Sequence, residues 1–351
     1  VRIASVEVIP YALSFREPYA TARGTLDRRE MVLLRLHDED GLVGLGEAVP
    51  LSLRGGAALA RVVAELEGLD GHESLDEPAL GDATALSAPA RCAALTALLD
   101  LRGRRAAAET TAAAPPSQPI CCNATLVAGA PAAVAADAER WAEDGFTSFK
   151  LKLGAGDDVA QVRAVRRALG QGPRIRVDAN ASWDVTTATR TLAALEELDV
   201  ELAEQPVATM GELAEVAQAT SIPIAADESV ESRADAEQAV EIGACRLAGL
   251  KLSKVGGPEA AIEIAEVLPS FVSSALDGAI GIAAAAQVAQ TLGEAMGADD
   301  PGIAHGLATQ RLFASTIASV ECELRGGMLH PPEGPGLGVE IDEQALQAHR
   351  L

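Results

Sequence analysis

The chain has 351 residues, of which 48% are hydrophobic and 3% aromatic, and its formal net charge is −23. That length suits a barrel plus a second domain, and the apolar share is ample for a large, aliphatic core. A surface this acidic repels phosphate backbones and acidic leaflets, so neither nucleic acid nor a membrane is an expected partner. The charge is compatible with divalent cations but does not demonstrate them, and a solvated acidic surface is the simpler reading.

Residues 1–8 alternate like a strand rather than a signal peptide, and no uninterrupted apolar run of about 18 residues appears. The five cysteines, Cys92, Cys121, Cys122, Cys245 and Cys322, are odd in number and never spaced C-x-x-C. Free thiols in a reducing cytoplasm are therefore expected, not a zinc knuckle or a disulfide framework.

In chain order, residues 3–13, 31–37 and 42–48 read as a three-strand meander, with Asp38-Glu39-Asp40-Gly41 as a turn. Helical stretches follow at 56–66 and 88–103. The Ala/Thr/Pro-rich segment 106–119 reads as the passage between domains. Beyond Pro119, strands are expected at 120–126, 148–153, 175–178, 202–204, 224–227, 250–252 and 271–275, with an eighth near 303–307. Helical stretches at 132–144, 158–169, 188–198, 210–219 and 258–267 alternate with them. Repeated βα units in this density imply a closed barrel. The fold class is α/β: residues 1–115 form an α+β capping domain, and residues 116–324 form the barrel. The Gly/Pro-rich tail 325–351 is expected to pack back on the cap.

Catalytic groups of such a barrel sit at the C-terminal ends of its strands. Strand two ends in Lys150-Leu151-Lys152, and alternation points both lysines the same way. Strands three, four and five end in Asp178, Glu204 and Asp227-Glu228, and strand six carries Lys251. One such acid would most simply cap the following helix. Three on adjacent strands would repel one another unless a cation neutralised them, and hard oxygen ligands partly open to water suit Mg²⁺. Lysines inside a barrel are costly without a role. Facing each other across a metal-bound carboxylate, one can remove the α-proton while the metal holds the enediolate. A base at Lys152 must shed its proton near neutral pH, which the cation and Lys150 would promote. Lys254 reads as a surface salt bridge.

The ordered set Phe149-Lys150-Leu151-Lys152, Asp178-Ala179-Asn180, Glu204-Gln205-Pro206, Asp227-Glu228-Ser229 and Lys251-Leu252-Ser253-Lys254-Val255-Gly256-Gly257 resembles the enolase superfamily over nearly the whole chain. More narrowly it resembles the muconate lactonizing enzyme subgroup. The resemblance implies a (β/α)₇β barrel with an α+β cap, a cytoplasmic homo-oligomer, and a small carboxylate substrate. It implies Asp178, Glu204 and Asp227 as ligands of Mg²⁺ (or Mn²⁺), Lys152 as base, Lys251 as the second catalytic lysine, and Lys150 as the assistant of Lys152. Asn180, Glu228, Ser273, Ser274, Asp277, Arg23 and His305 are candidate substrate contacts or supports, with His305 read as a pocket or structural residue. Arg23 and Arg54 could meet a distal carboxylate, although solvated surface arginines are as good a reading.

The segments 272–277, 305–309 and 334–339 resemble o-succinylbenzoate synthases. Gly302 to Phe313 contains no acid to hold a dipeptide's ammonium group. Dipeptide epimerase, N-succinylamino acid racemase and muconate cycloisomerase stay open as alternatives. So does a non-catalytic enolase-like binding protein, which would be expected to have lost one of these five ligand and lysine positions.

Overall fold

The computed structural model describes residues 2–21, 24–50, 56–69, 86–109, 117–296 and 302–351. Three antiparallel strands open the chain, β1 (Ile3–Thr21), β2 (Gly24–Asp38) and β3 (Val43–Ala48), in the order β1-β2-β3. Their first two members are longer than the alternation of residues 3–13 and 31–37 suggested. After a register shift between Ser14 and Tyr19, the hairpin resumes by pairing Tyr19 with Leu26. Aromatic packing accounts for the extension. The Phe15 ring stacks on Tyr19 at 5.5 Å and on Phe313, beyond the last barrel strand, at 5.0 Å.

Period-two alternation makes this sheet apolar on both faces. Val32, Leu34 and Leu36 meet helices α1 (Leu59–Glu67) and α2 (Ala88–Glu109), whereas Met31, Leu33 and Leu45 join the core shared with the barrel. Helix α2 lies almost on the backbone of β3. A Cβ on Gly44 would stand 2.2 Å from the Ala97 carbonyl oxygen, and one on Gly46 would stand 2.0 Å from that of Ala93. Residues 106–109, expected in the interdomain passage, continue this helix because Ala-Ala-Ala-Glu is strongly helix-forming. The middle of that passage, 110–116, lies outside the described residues.

The expected strand 120–126 divides in two. β4 (Ile120–Cys121) leaves the barrel and pairs with a C-terminal hairpin, β13 (Glu323–Arg325) and β14 (Met328–His330), while β5 (Ala124–Leu126) starts the barrel. From β5 the parallel sheet runs through β6 (Ser148–Lys152), β7 (Arg174–Asp178), β8 (Val200–Glu204), β9 (Ile224–Ala226), β10 (Leu247–Leu250) and β11 (Ser270–Val272). The eighth position is a pair of bridges rather than a full strand. His305 pairs with Cys122 on one edge and Gly306 with Ser273 on the other. Helices α3 (Pro131–Glu143), α4 (Asp158–Leu169), α5 (Val185–Leu195), α6 (Met210–Ala219), α7 (Arg233–Ile242), α8 (Leu252–Val255), α9 (Pro258–Ala265) and α10 (Ala279–Met296) follow the strands. β12 (Ala318–Val320) pairs with β15 (Glu340–Ile341), and α11 (Glu343–His349) ends the chain.

The tail returns to the cap through backbone and side-chain bonds. Leu351 N donates to Pro10 O at 3.0 Å. The buried Asp100 of α2 accepts from Leu337 N at 2.7 Å, from Leu45 N at 2.8 Å and from Arg104 Nε at 2.8 Å. Cys92, Cys122 and Cys322 are buried free thiols, and burial pushes the first up to about 12. Among the described residues, no helix is long and apolar enough to cross a membrane.

The helix-on-glycine contact is testable. Gly46→Val should destabilise the fold by about 1–3 kcal/mol or more, because the α2 backbone itself blocks the new side chain. Urea unfolding followed by circular dichroism checks this. A midpoint equal to that of the parent chain would show that α2 does not rest on β3 this closely.

Candidate active site

Parallel register brings the charged strand ends side by side. Lys152 pairs with Asp178, Asp178 with Glu204, and Glu204 with Ala225, two residues before Asp227. One layer below, Leu202, Ala225 and Phe271 form an apolar patch, and the fully buried Arg176 of β7 lies over the Phe271 ring at 5.4 Å. Gly249 leaves room there, since its Cβ would stand 3.0 Å from the Phe271 ring. The acids therefore sit above a closed layer, at the C-terminal ends of the strands.

All three carboxylates are buried, at 0%, 1% and 0% exposure for Asp178, Glu204 and Asp227. Lys150 Nζ lies between the first two, 2.8 Å from Asp178 Oδ2 and 2.7 Å from Glu204. Lys152 Nζ donates to Asp178 Oδ2 at 2.6 Å and to Asn180 Oδ1 at 2.9 Å. On the far side, Lys251 Nζ is paired with Asp227 Oδ2. Lys251 is not within a strand as expected. β10 stops at Leu250, and Lys251 is the N-cap residue of α8, a single turn closed by Gly256 at φ +97°. Lys254 is no surface residue either. It is buried and donates to Asp227 Oδ1 at 3.1 Å and to Val230 O at 3.0 Å, as well as to the Asp227 carbonyl. The turn of α8 carries it inward beside Lys251.

The electrostatics are uneven. Burial works against the Lys150 ammonium, but the Asp178 and Glu204 carboxylates outweigh it and hold its pKa well above the usual lysine value. Burial likewise opposes ionisation of Asp178, and Lys150 and Lys152 reverse that, leaving it well below the carboxylate range. For Glu204, burial and the neighbouring Asp178 charge prevail over Lys150 and push its pKa up. Glu204 Oε2 is buried without a hydrogen bond, although the Lys150 ammonium lies 2.7 Å away. Among the described residues, no three His, Cys, Asp or Glu side chains converge on one point closely enough to share an ion. The lysine ammonium groups stand against the acids instead. The chemistry of the donor set nevertheless suits a hard cation: three buried carboxylates, one of them with a raised pKa.

The backbone at these strand ends is unusual. Asn180, Ala181 and Gln205 have φ of +47°, +59° and +37°, a region that non-glycine residues occupy at a cost of about 1–3 kcal/mol. The turns direct Asn180 N onto Asp178 Oδ1 at 2.9 Å and Ala181 N onto Gln205 O at 2.7 Å. Gln205 is a positioning residue that the strand-end charges did not reveal. Its side chain accepts from Asp227 N at 2.8 Å and Ser229 N at 3.1 Å, and donates to Val207 O at 2.9 Å and Ser229 Oγ at 2.6 Å. Its signal in the sequence was a glutamine directly after a buried strand end.

The other candidates divide. Asn180 Nδ2 donates to Glu228 Oε1 at 3.3 Å, at the edge of the carboxylate cluster. Ser273 N bonds Leu250 O at 2.7 Å, which keeps Ser273 at the mouth. Ser274 and Asp277 bind each other, with Ser274 Oγ donating to Asp277 Oδ2 at 2.8 Å. His305 belongs to the barrel wall. Its Nδ1 accepts the Val272 N–H at 3.0 Å, and burial together with the Arg176 charge pushes its pKa down to about 4. Arg23 and Arg54 lie outside the described residues.

A sheet-capped, curled parallel barrel with lysines and acids at its strand ends is the architecture of the enolase superfamily. Two family models match: "Enolase C-terminal domain-like" over residues 133–345, and "Mandelate racemase / muconate lactonizing enzyme, N-terminal domain" over residues 3–111. The chain belongs to the mandelate racemase/muconate lactonizing enzyme group of enolase-superfamily enzymes. It is 37% identical to an o-succinylbenzoate synthase of Thermobifida fusca (68% of this chain, 74% of that one). It is 30% identical to a muconate cycloisomerase 1 of Pseudomonas putida (95% and 94%). Among solved structures, a dipeptide epimerase from Cytophaga hutchinsonii complexed with Mg and the dipeptide D-Ala-L-Val superposes with a TM-score of 0.87 at 28% identity, covering 99% of this chain and 98% of that one.

A second buried acid pair lies where the cap meets strand seven. Glu47, from β3, accepts from Tyr11 OH at 2.7 Å and from Gly278 N at 2.6 Å. Asp277 adjoins it, and Arg29 of β2 donates to the nearby Ala275 O at 3.0 Å. Gly278 and Gly281 are needed here, because a Cβ on either would come within 2.8 Å of a Glu47 oxygen. Burial and the Asp277 charge push Glu47 up to about 7 from an ordinary value of 4.5. A carboxyl with a raised folded-state pKa contributes stability fully below pH 4.5 and loses it as pH rises to about 7. We expect Glu47→Gln, which keeps an acceptor for the Gly278 amide, to flatten that decline by up to about 3 kcal/mol. Urea midpoints between pH 4 and 8 measure it, and parallel profiles for the two proteins would refute it.

Proposed function

We propose that this enzyme abstracts the proton α to a substrate carboxylate in a Mg²⁺-dependent reaction. We further propose that the reaction is dehydration of a succinyl-hydroxycyclohexadiene carboxylate to o-succinylbenzoate. The observation that carries the chemistry is the flanking of three buried strand-end acids by Lys152 on one side and Lys251 on the other. Asp178, Glu204 and Asp227 would hold the ion, which when bound supplies Lewis-acid stabilisation to the substrate carboxylate.

Lys152 acts as the base. It lies at the mouth, and Asp178 and Asn180 fix its ammonium. Lys150, clamped between Asp178 and Glu204, stays protonated and favours the ionised form of Asp178. Lys251 faces the substrate from the opposite side, where its positive charge stabilises the enediolate. The β-hydroxyl then leaves as hydroxide and the ring becomes aromatic, which makes the elimination easy.

Two features favour the synthase. One is the similarity to the Thermobifida fusca enzyme. The other is the absence of any acid from Gly302 to Phe313, where a dipeptide's ammonium would need an anionic partner. Racemisation of an N-succinylamino acid is the second reading, because bases on both faces are what that reaction needs. Dipeptide epimerisation and muconate cycloisomerisation rest on the other similarities alone.

Purified protein with Mg²⁺ should consume the diene absorbance of the cyclohexadiene substrate and stop on addition of EDTA, with its circular dichroism unchanged. A folded, metal-loaded protein without turnover would reject the synthase assignment. Dipeptides, N-succinylamino acids and muconate, read by solvent-deuterium exchange, would then identify the reaction. Lys152→Ala should lower kcat by about 10²–10⁴. An unchanged rate would exclude Lys152 as the base.

A further inference from the structure

We infer that Arg91, a residue of the capping domain far in sequence from every acid and lysine of the site, positions Lys251. The inference rests on the two-lysine reading above. Arg91 lies on α2, and its guanidinium donates to Val255 O (Nη2, 3.1 Å) and Gly256 O (Nε, 3.3 Å). Those are the last carbonyls of the turn that begins at Lys251. Inside the turn, Lys254 N and Val255 N both donate to Lys251 O, at 2.9 and 3.0 Å. Carbonyls at a helix end have no partner within the helix, and a cation there is favourable. A two-pronged donor from another domain therefore fixes the position of the turn as well as satisfying it.

The glycine pair after the turn is shaped for this contact. A Cβ on Gly256 would stand 2.1 Å from Arg91 Nη2, and one on Gly257 3.2 Å from Leu95, one turn along α2. Both glycines also adopt positive φ, +97° and +136°. The Cys92 thiol, next to Arg91, meets the Ser253 hydroxyl of the same turn. Among the described residues, Lys152 has no such tie to the cap. Its ammonium is held by Asp178 and Asn180 and its carbonyl accepts from Gln161 Nε2 at 2.8 Å, all barrel groups. The described part of the cap thus reaches the turn of one lysine, while the bonds described for the other come from barrel groups.

The test is face-selective. With Mg²⁺ in D₂O, α-proton exchange of each enantiomer of N-succinylphenylglycine is followed by NMR for the parent chain, Lys251→Ala, Arg91→Ala and Arg91→Lys. Lys251→Ala identifies the enantiomer that Lys251 serves. Arg91→Ala should slow that enantiomer by about 10–100-fold, the scale of a misplaced group, and change the other by about twofold or less. Arg91→Lys, with a single point donor, should restore part of the loss. Equal slowing of both enantiomers would mean a general structural role and overturn the inference. If Lys251→Ala spares both enantiomers, the two-lysine reading falls instead. Amide-hydrogen exchange needs no turnover and decides the matter if the parent chain exchanges neither enantiomer. Arg91→Ala should speed exchange selectively over residues 252–257, and an unchanged rate there overturns the inference.

Discussion

The structure depends on burying three carboxylates on three successive strand ends. Removing a charge from water costs several kcal/mol, and like charges on neighbouring strands add to that cost. Lysines reaching in from both sides offset it. Lys150 and Lys152 come from β6, next to Asp178, while Lys251 and Lys254 come from the turn after β10 and meet Asp227. Glu204, in the middle, pairs with Lys150 where Asp178 and Asp227 each pair with two lysines, and its pKa is pushed up by burial and the Asp178 charge. The place where a divalent cation would do most is thus the centre of the row. The left-handed backbone at Asn180, Ala181 and Gln205 belongs to the same constraint, because it turns amide donors toward neighbouring oxygens instead of continuing the strands.

A barrel alone does not provide the whole arrangement. The capping sheet is apolar on both faces, so one face must lie on helices and the other on the barrel. Close approach is obtained with glycine at each crossing: Gly44 and Gly46 under α2, Gly256 under Arg91, and Gly278 and Gly281 against Glu47. Where backbones come this near, polar side chains of one domain reach backbone groups of the other. Glu47 binds the Gly278 amide, Arg29 the Ala275 carbonyl, and Arg91 the Val255 and Gly256 carbonyls. The ends of the sixth and seventh strands are therefore held from above as well as from within.

Much of this was legible in the sequence. Charged residues closing short strand candidates identified Asp178, Glu204, Lys150 and Lys152 as strand-end groups, because catalytic groups of such a barrel gather at those ends, whereas Arg176, buried in mid-strand, carried no such signal. What stayed hidden depends on contacts between distant segments. The β1–β2 hairpin extends because Phe15 finds Phe313, nearly 300 residues away. Lys254 reads as a surface charge until the α8 turn folds it onto Asp227. Helix α10, Ala279–Met296, shows little amphipathic pattern because it is packed on most sides. Gln205 lacks a charge, and only its four hydrogen bonds distinguish it from an ordinary turn residue.

The unequal support of the two lysines bears on which reactions such a site can run. Elimination toward an aromatic ring needs one base and, from the opposite lysine, only a nearby positive charge, so a small shift of that lysine costs it less than it costs a proton transfer. Racemisation needs a proton removed on one face and delivered on the other, so its rate follows whichever lysine is worse placed. If Arg91 positions Lys251 as inferred, that sensitivity falls on Lys251, because its turn is tied to α2 while, among the described residues, Lys152 is held by barrel groups. Changes in how the cap sits would then shift the balance between one-base and two-base chemistry without altering any of the three acids.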